Sequence, residues 1–329
     1  MLYDEDFLTR LAAGVRGLAP VWAVSDDADL RLLTISENAT FLFDDPAAER
    51  KVIVRVHRPD YHSEAEILSE LAWIDALRAE GVVATPKPLA AADGGLLQRF
   101  SDGESLRHAV AFEHMTGSEP DAETDLVKWY GALGEINARL HGHSRRWRRP
   151  AGFVRKTWDF DRIIGAGAHW GDWREALGLD AQGRAVLERM HVLLQAQTAA
   201  YGMGNDRFGL VHCDMRAANL LVEGERLGVI DFDDCGFSWF AYDFAAAISF
   251  IEHDPVVPAL MEAWLEGYRR TAPLAPEQVA ALPMFIMLRR MQLTAWIASH
   301  AETPTAQSMG TAYTDGTVML AERYLSEHG

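Results

Sequence analysis

The sequence predicts an α+β fold in two lobes, the first built on an antiparallel sheet with one main helix and the second mostly helical. Three observations predict it. Short β-rich runs punctuated by turn residues fill the first part of the chain, helical periodicity dominates the second, and a hairpin pattern interrupts those helices between 210 and 231. Residues 1–115 form the expected first domain and 116–329 the second.

Three runs, 30–35, 39–43 and 52–56, are rich in Val, Ile, Leu and Phe and are separated by Glu37-Asn38 and by Asp44-Asp45-Pro46, so they read as adjacent strands. Ser63 then precedes Ile67, Leu71, Ile74 and Leu77 at helical spacing until Gly81 stops the pattern. Glu64 and Glu66 sit in the first turn of this helix, where they suit its dipole, and Glu70 sits at its middle. After a proline-rich passage, 96–100 and 109–112 read as two further strands, and Phe112-Glu113-His114-Met115 leads to Gly117 as a linker. Beyond it, Leu126, Trp129, Tyr130, Leu133, Ile136, Asn137, Leu140 and His141 line one helical stripe, and further helices fit 181–201, 257–271, 276–301 and 307–327.

The most informative stretch runs from Leu210 to Asp243. An apolar run leads into His212-Cys213-Asp214, and a second one, Leu220 to Val222, follows Asn219, so Asp214 and Asn219 bracket one loop. Glu223 to Arg226 reads as a turn and Leu227 to Ile230 as the returning strand, which delivers Asp231 at its end. Hard oxygen donors of this kind suit magnesium, and phosphoryl transfer asks a protein chiefly for positioned cations and an aligned hydroxyl. Any one of the three alone would serve as a turn-former or a strand cap; the three together favour phosphotransfer.

These residues resemble the signature of the aminoglycoside phosphotransferase and choline kinase superfamily: His212-Cys213-Asp214, Asn219, Ile230-Asp231, Gly236 and Asp243-Phe244-Ala245. The resemblance implies a protein-kinase-like fold, ATP or GTP with Mg2+, and a small-molecule or occasionally a protein hydroxyl as acceptor. It implies Asp214 as the catalytic residue, Asn219 and Asp231 as metal ligands, and His212 and Asp243 as structural residues, Asp243 by accepting backbone N–H bonds. The run Val56-His57-Arg58-Pro59-Asp60-Tyr61 with Asp231-Phe232-Asp233-Asp234-Cys235-Gly236 looks similar to bacterial homoserine-kinase-like or stress-response-kinase-like members. A protein Ser/Thr kinase and a nucleotide-binding pseudokinase are the alternatives.

Such enzymes place a Lys on the third strand, paired to a Glu of the next helix. Here Arg55 fills that position, with Glu70 as its expected partner and Glu66 a turn too early. Lys51 competes, since 51 and 55 share a strand face. The expected nucleotide contacts are Arg55, Glu70, the turn residues Ser36 and Asn38 in place of an absent Gly-x-Gly-x-x-Gly, and Glu113 and Met115 of the linker. Trp170, Asp172 and Trp173 fall where the superfamily builds its acceptor pocket, and their rings suit a cationic amine, or else form a packed aromatic corner. Asp233 is a further candidate acceptor contact. Arg145, Arg146, Arg148 and Arg149 end a helix, where positive charge complements the dipole, and His141 reads as a hydrogen-bonded core residue.

With 49% hydrophobic and 24% charged residues, the 329-residue chain has ordinary globular composition, and its net charge of −17 argues against nucleic acid as a partner and favours a cationic or neutral acceptor. Two cysteines, Cys213 and Cys235, exclude a disulfide framework. The acidic start lacks a signal-peptide pattern, and the tract 284–298 is broken by Arg289 and Arg290 and falls short of the roughly 20 residues a membrane span needs, so a cytoplasmic protein without membrane contact is expected. No residue pattern sets an oligomeric state.

Overall fold

A computed structural model describes residues 5–35, 38–121 and 125–329. The chain divides into two compact units: unit 1 comprises Met1–Gly117, Arg148–Arg155 and Gly228–Asp233, and unit 2 comprises Ser118–Trp147, Lys156–Leu227 and Asp234–Gly329.

Unit 1 opens with a helix not expected from the sequence, α1 (Glu5–Gly17), whose first turn is acidic and whose Leu11 and Val15 are buried. Its signal was the spacing of Leu11, Val15 and Leu18. Strands β1 (Asp29–Ile35), β2 (Ala39–Asp45) and β3 (Arg50–Val56) follow, then α2 (Glu64–Ala79), β4 (Pro88–Leu89), β5 (Gln98–Ser101) and β6 (Leu106–Glu113). They form one antiparallel sheet in the order β1-β2-β3-β6-β4, with β5 also on β6. Alternation sets its two faces: Val52, Val54 and Val56 of β3 pack with Phe41 and Phe43, Ala109 and Ala111, and Leu11 and Val15 of α1, while Arg55 stands on the opposite face. Ser63 starts α2 through a capping box, accepting from the Glu66 N–H at 3.3 Å while Glu66 Oε2 accepts from the Ser63 N–H at 2.8 Å. Glu66 is thereby committed to the cap.

Unit 2 contains α3 (Leu126–Arg146), α4 (Phe160–Ile163), α5 (Ala181–Tyr201), β7 (Phe208–Val211) and β8 (Leu220–Glu223). The turn at Gly224 (φ +60°) leads into β9 (Arg226–Val229), which pairs with β8. Beyond it come β10 (Gly236–Trp239), antiparallel to β7, then α6 (Tyr242–Ala247), α7 (Val257–Thr271), α8 (Pro276–Ala280), α9 (Leu282–Ser299) and α10 (Pro304–His328). The helix expected over 276–301 is thus two helices: Ala281 interrupts them, and Pro283 lies in the first turn of α9, where its missing N–H costs nothing. The segment expected as one helix over 307–327 starts at Pro304 behind a Thr303 cap and is broken at Gly310 (φ +51°), so α10 is two helical pieces joined at a kink.

Helices α3 and α7 approach at backbone distance, which glycine alone permits. A Cβ on Gly134 would lie 2.8 Å from the Tyr268 nitrogen and closer still to the Trp264 carbonyl oxygen, and one on Gly267 would meet the backbone of Gly131. Gly134→Ala must therefore force the helices apart, and we expect an unfolding free energy lower by about 3 kcal/mol in urea titration; an unchanged midpoint would show the contact to be compliant.

Candidate active site

In unit 2 the loop after β7 is shaped by one buried carboxylate. Asp243, in the first turn of α6, accepts the Cys213 N–H on Oδ1 at 2.8 Å, and its Oδ2 takes His141 Nε2 at 3.0 Å and Asn137 Nδ2 at 3.2 Å. Cys213 is thereby held at φ +69°, a left-handed conformation that a non-glycine residue adopts only under constraint. The network reaches into both helices: Asn137 Oδ1 accepts from Trp264 Nε1 at 2.7 Å and His141 Nδ1 lies 3.0 Å from the Tyr268 hydroxyl. Burial lowers the His141 pKa against the pull of Asp243, and burial pushes Tyr268 up to about 12, so a neutral imidazole donates Nε2–H to Asp243 and accepts at Nδ1 from the tyrosine. His212 is fully buried, and its Nδ1 accepts the Asp214 N–H at 3.2 Å. The Cys213 thiol, buried beside Asp243, is pushed well up and stays protonated.

Asp214 follows the strained residue. Asn219, closing a short 3₁₀ turn, donates from Nδ2 to both the Asp214 backbone oxygen and Oδ2, each at 2.8 Å. That orientation of the amide turns Oδ1 into the atom available to a hard cation. Asp214 Oδ1 accepts from Arg289 Nη2 at 2.8 Å, and Arg216 Nε lies 3.4 Å from Oδ2. Arg289 is a site residue that the sequence reading passed over; its signal was an arginine inside the apolar pattern of α9.

In unit 1, Arg55 is buried and donates from Nη2 to both Glu70 carboxylate oxygens, at 2.7 and 2.6 Å, and from Nη1 to Asp231 Oδ1 at 3.2 Å. Burial opposes its charge, but Glu70, Asp233 and Asp231 raise its pKa above the ordinary arginine value. Its Nε is buried and makes no hydrogen bond among the described residues. Lys51, on the same strand face, pairs with Asp44 at 3.0 Å instead. Asp231 sits at φ +61° with its side chain half exposed. Asp233 is buried, with His57 Nδ1 at 3.3 Å, His62 Nε2 at 3.4 Å and Asn38 Nδ2 donating to it at 2.7 Å. Burial works against its ionisation, yet Arg55, His62 and His57 hold its carboxyl well below the usual range, while burial and Arg55 lower His57. Asn38 Oδ1 also accepts the Arg58 N–H at 3.1 Å. Asn38 and Asp233 thus tie the turn between β1 and β2 to the segment carrying Asp231.

Of the remaining expected residues, Ser36 lies outside the described residues. Glu113 ends β6, exposed and 3.3 Å from Lys87 Nζ, and the Met115 methyl occupies the space a Cβ at Gly228 would need. Trp173 is fully buried with Nε1 donating to His191 Nδ1 at 3.3 Å, and Trp170 is buried beneath the Arg289 guanidinium, whose carbon lies 5.0 Å from the ring centroid. Asp172 caps the short turn at Trp173–Glu175 and pairs with Arg174 at 3.2 Å.

The class of the protein, a phosphotransferase, is shown by its family. A family model described as the phosphotransferase enzyme family matches residues 30–274, and the chain belongs to that family. It is 45% identical to the solved microcompartment-associated aminopropanol kinase, over 95% of this chain and 97% of that one, with a TM-score of 0.88. The amicoumacin kinase of Bacillus subtilis (strain 168) is 22% identical over 303 residues, 88% of this chain and 84% of that protein. A second amicoumacin kinase, hAmiN, solved with AMP-PNP, Ca2+ and Ami, shares the fold at 21% identity and a TM-score of 0.77, over 96% of this chain and 93% of that one. The two-lobed, protein-kinase-like α+β fold expected from the motif is therefore the fold of this chain. Among the described residues, no helix is long and apolar enough to cross a membrane.

Two outcomes follow from the buried charges. Glu70→Ala removes the bidentate partner of Arg55 and should lower unfolding free energy by about 3 kcal/mol, read from chemical denaturation. His57 and His141 are held neutral when folded but titrate near 6.5 when unfolded, so the unfolded chain binds more protons below that pH. Stability should be full above pH 6.5 and decline as pH falls from there through the lowered folded values; a urea midpoint flat between pH 7.5 and 5.5 would contradict this.

Proposed function

We propose that the chain transfers the γ-phosphoryl group of ATP, bound with Mg2+, to the hydroxyl of a small amino alcohol. The observation that carries the reading is the Asp214–Asn219 pair, in which the amide is fixed by two hydrogen bonds so that Oδ1 is presented to a cation beside a partly exposed carboxylate. Family membership and the 45% identity to an aminopropanol kinase support it, and the net charge of −17 suits a cationic acceptor.

In this mechanism Asp214 accepts the hydrogen bond of the acceptor hydroxyl, aligns its oxygen, and takes the proton as the O–P bond forms and the bond to the ADP leaving oxygen breaks. Asn219 and Asp231 are the residues that would hold the metal ion, which when bound would supply charge neutralisation to the phosphates. Arg55, held by Glu70, supplies positive charge toward the phosphates, and the Asn38 turn stands in for a glycine-rich loop. Backbone groups from Glu113 to Met115 receive the base, with Met115 as an apolar wall.

The test is phosphate transfer from γ-labelled ATP or GTP with Mg2+ to 1-amino-2-propanol, other amino alcohols, homoserine, choline, aminoglycosides and a generic protein substrate. We expect transfer to an amino alcohol, reduced by about 100- to 10,000-fold in Asp214→Ala. Transfer to protein alone, or an Asp214→Ala enzyme of near-normal rate, would overturn the assignment.

A further inference from the structure

Helix α9 carries two adjacent buried arginines, and they face different partners. Arg290 is matched internally: Nη1 donates to the fully buried Glu252 at 2.7 Å, Nε to Thr317 at 2.8 Å, and Nη2 to the Tyr313 carbonyl oxygen at 2.8 Å. Its role is to tie α9 to α10. Arg289 has an equally elaborate seat, with Nε donating to Ser249 Oγ at 2.9 Å and Nη1 to Gln292 Oε1 at 3.2 Å and to the Tyr242 hydroxyl at 3.3 Å, over the Trp170 ring. Yet the carboxylate it pairs with is Asp214, 75 residues earlier in the chain and partly open to solvent. A buried guanidinium is costly and rarely the most stable choice for a core, so an immobilised one aimed at a reactive carboxylate asks for a functional reason.

The geometry points to Arg289 as a positioning residue for phosphoryl transfer, which fixes the plane of the Asp214 carboxylate by holding Oδ1 while Asn219 holds Oδ2. With Arg289 on Oδ1 and Asn219, joined by the longer Arg216 contact, on Oδ2, rotation of the carboxylate about its last bond is restrained and its remaining lone pairs are presented in a set direction. The guanidinium cannot follow Asp214 if the loop shifts, because Ser249, Gln292, Tyr242 and Trp170 define its place. Arg is suited to this task and Lys is not: a planar fork transmits orientation, whereas an ammonium supplies a charge without a plane. The inference rests on Asp214 being the residue that meets the acceptor hydroxyl.

A double-mutant cycle on the full-length protein separates this role from general structural support. Single-turnover transfer would be measured for wild type, Arg289→Gln, Arg289→Lys, Asp214→Asn and the double variant Arg289→Gln/Asp214→Asn. The acceptor is 1-amino-2-propanol, with water as acceptor if no alcohol reacts. We expect Arg289→Gln to lower the rate by about 100-fold with the KM for ATP changed by less than about twofold, and Arg289→Lys to recover little of it. In the Asp214→Asn background the same substitution should change the rate by less than about twofold, since the group it positions is already gone. An equal loss in both backgrounds would overturn the inference and leave the role of Asp214 standing; near-normal transfer by Asp214→Asn would overturn that role itself. Should Arg289→Gln fail to fold, Ser249→Ala frees the guanidinium at Nε, and its effect must likewise vanish in the Asp214→Asn background.

Discussion

One buried carboxylate, Asp243, decides where the reactive loop of unit 2 can sit. Left-handed backbone at a residue with a Cβ costs about 1–2 kcal/mol, and Cys213 adopts it because its N–H is captured by Asp243 Oδ1. The carboxylate in turn is held by His141 and Asn137 of α3, and those by Tyr268 and Trp264 of α7. That cross-helix network needs α3 and α7 at glycine-contact distance, which Gly134 and Gly267 provide. Backbone packing of two helices is thus converted, through side-chain hydrogen bonds, into the direction of Asp214. His141 contributes as a neutral donor and acceptor, which is why its burial and its lowered pKa belong together.

The loop could be picked out in the sequence because Asp214 and Asn219 lead into, and Asp231 follows, one short hairpin pattern, oxygen-bearing side chains at fixed intervals. Strand alternation told less: residues 51 and 55 share a face, so parity could not separate Lys51 from Arg55, and only the side-chain geometry shows Arg55 reaching Glu70 while Lys51 turns to Asp44. Glu66 and Glu70 were likewise separable only once the capping box had claimed Glu66. The aromatic run at 169–174 marks a limit of another kind. An indole in a pocket wall and an indole in a packed corner have the same sequence, and Trp173 is fully buried here. Arg289 was hidden because its partner lies far along the chain. Its only local trace, a charge in an apolar helix, had been read as an argument against a membrane span.

Unit 1 poses the question of why so many charges are buried together. Arg55 faces Glu70, Asp231 and Asp233, one cation against three carboxylates. His57 is held neutral beside them, and a second buried cation, Arg155, donates to the Asp233 carbonyl oxygen. Under the proposed function a divalent cation at Asp231 would add to that compensation, and the left-handed, half-exposed placement of Asp231 suits such a ligand.

The pair of Arg55 and Glu70 also bears on why an arginine stands at this strand position. Well-packed apolar residues would stabilise the same space as well or better, so stability does not account for retaining two buried charges. A buried lysine could shed its proton under desolvation, whereas a guanidinium keeps its charge. The fork adds a second property. Nη1 and Nη2 bond to Asp231 and Glu70, and this locks the plane of the guanidinium. A lysine paired to Glu70 would present donors free to rotate, whereas the fork of Arg55 is fixed. The same logic of a guanidinium held on several sides recurs at Arg289, where the group being oriented belongs to the protein itself.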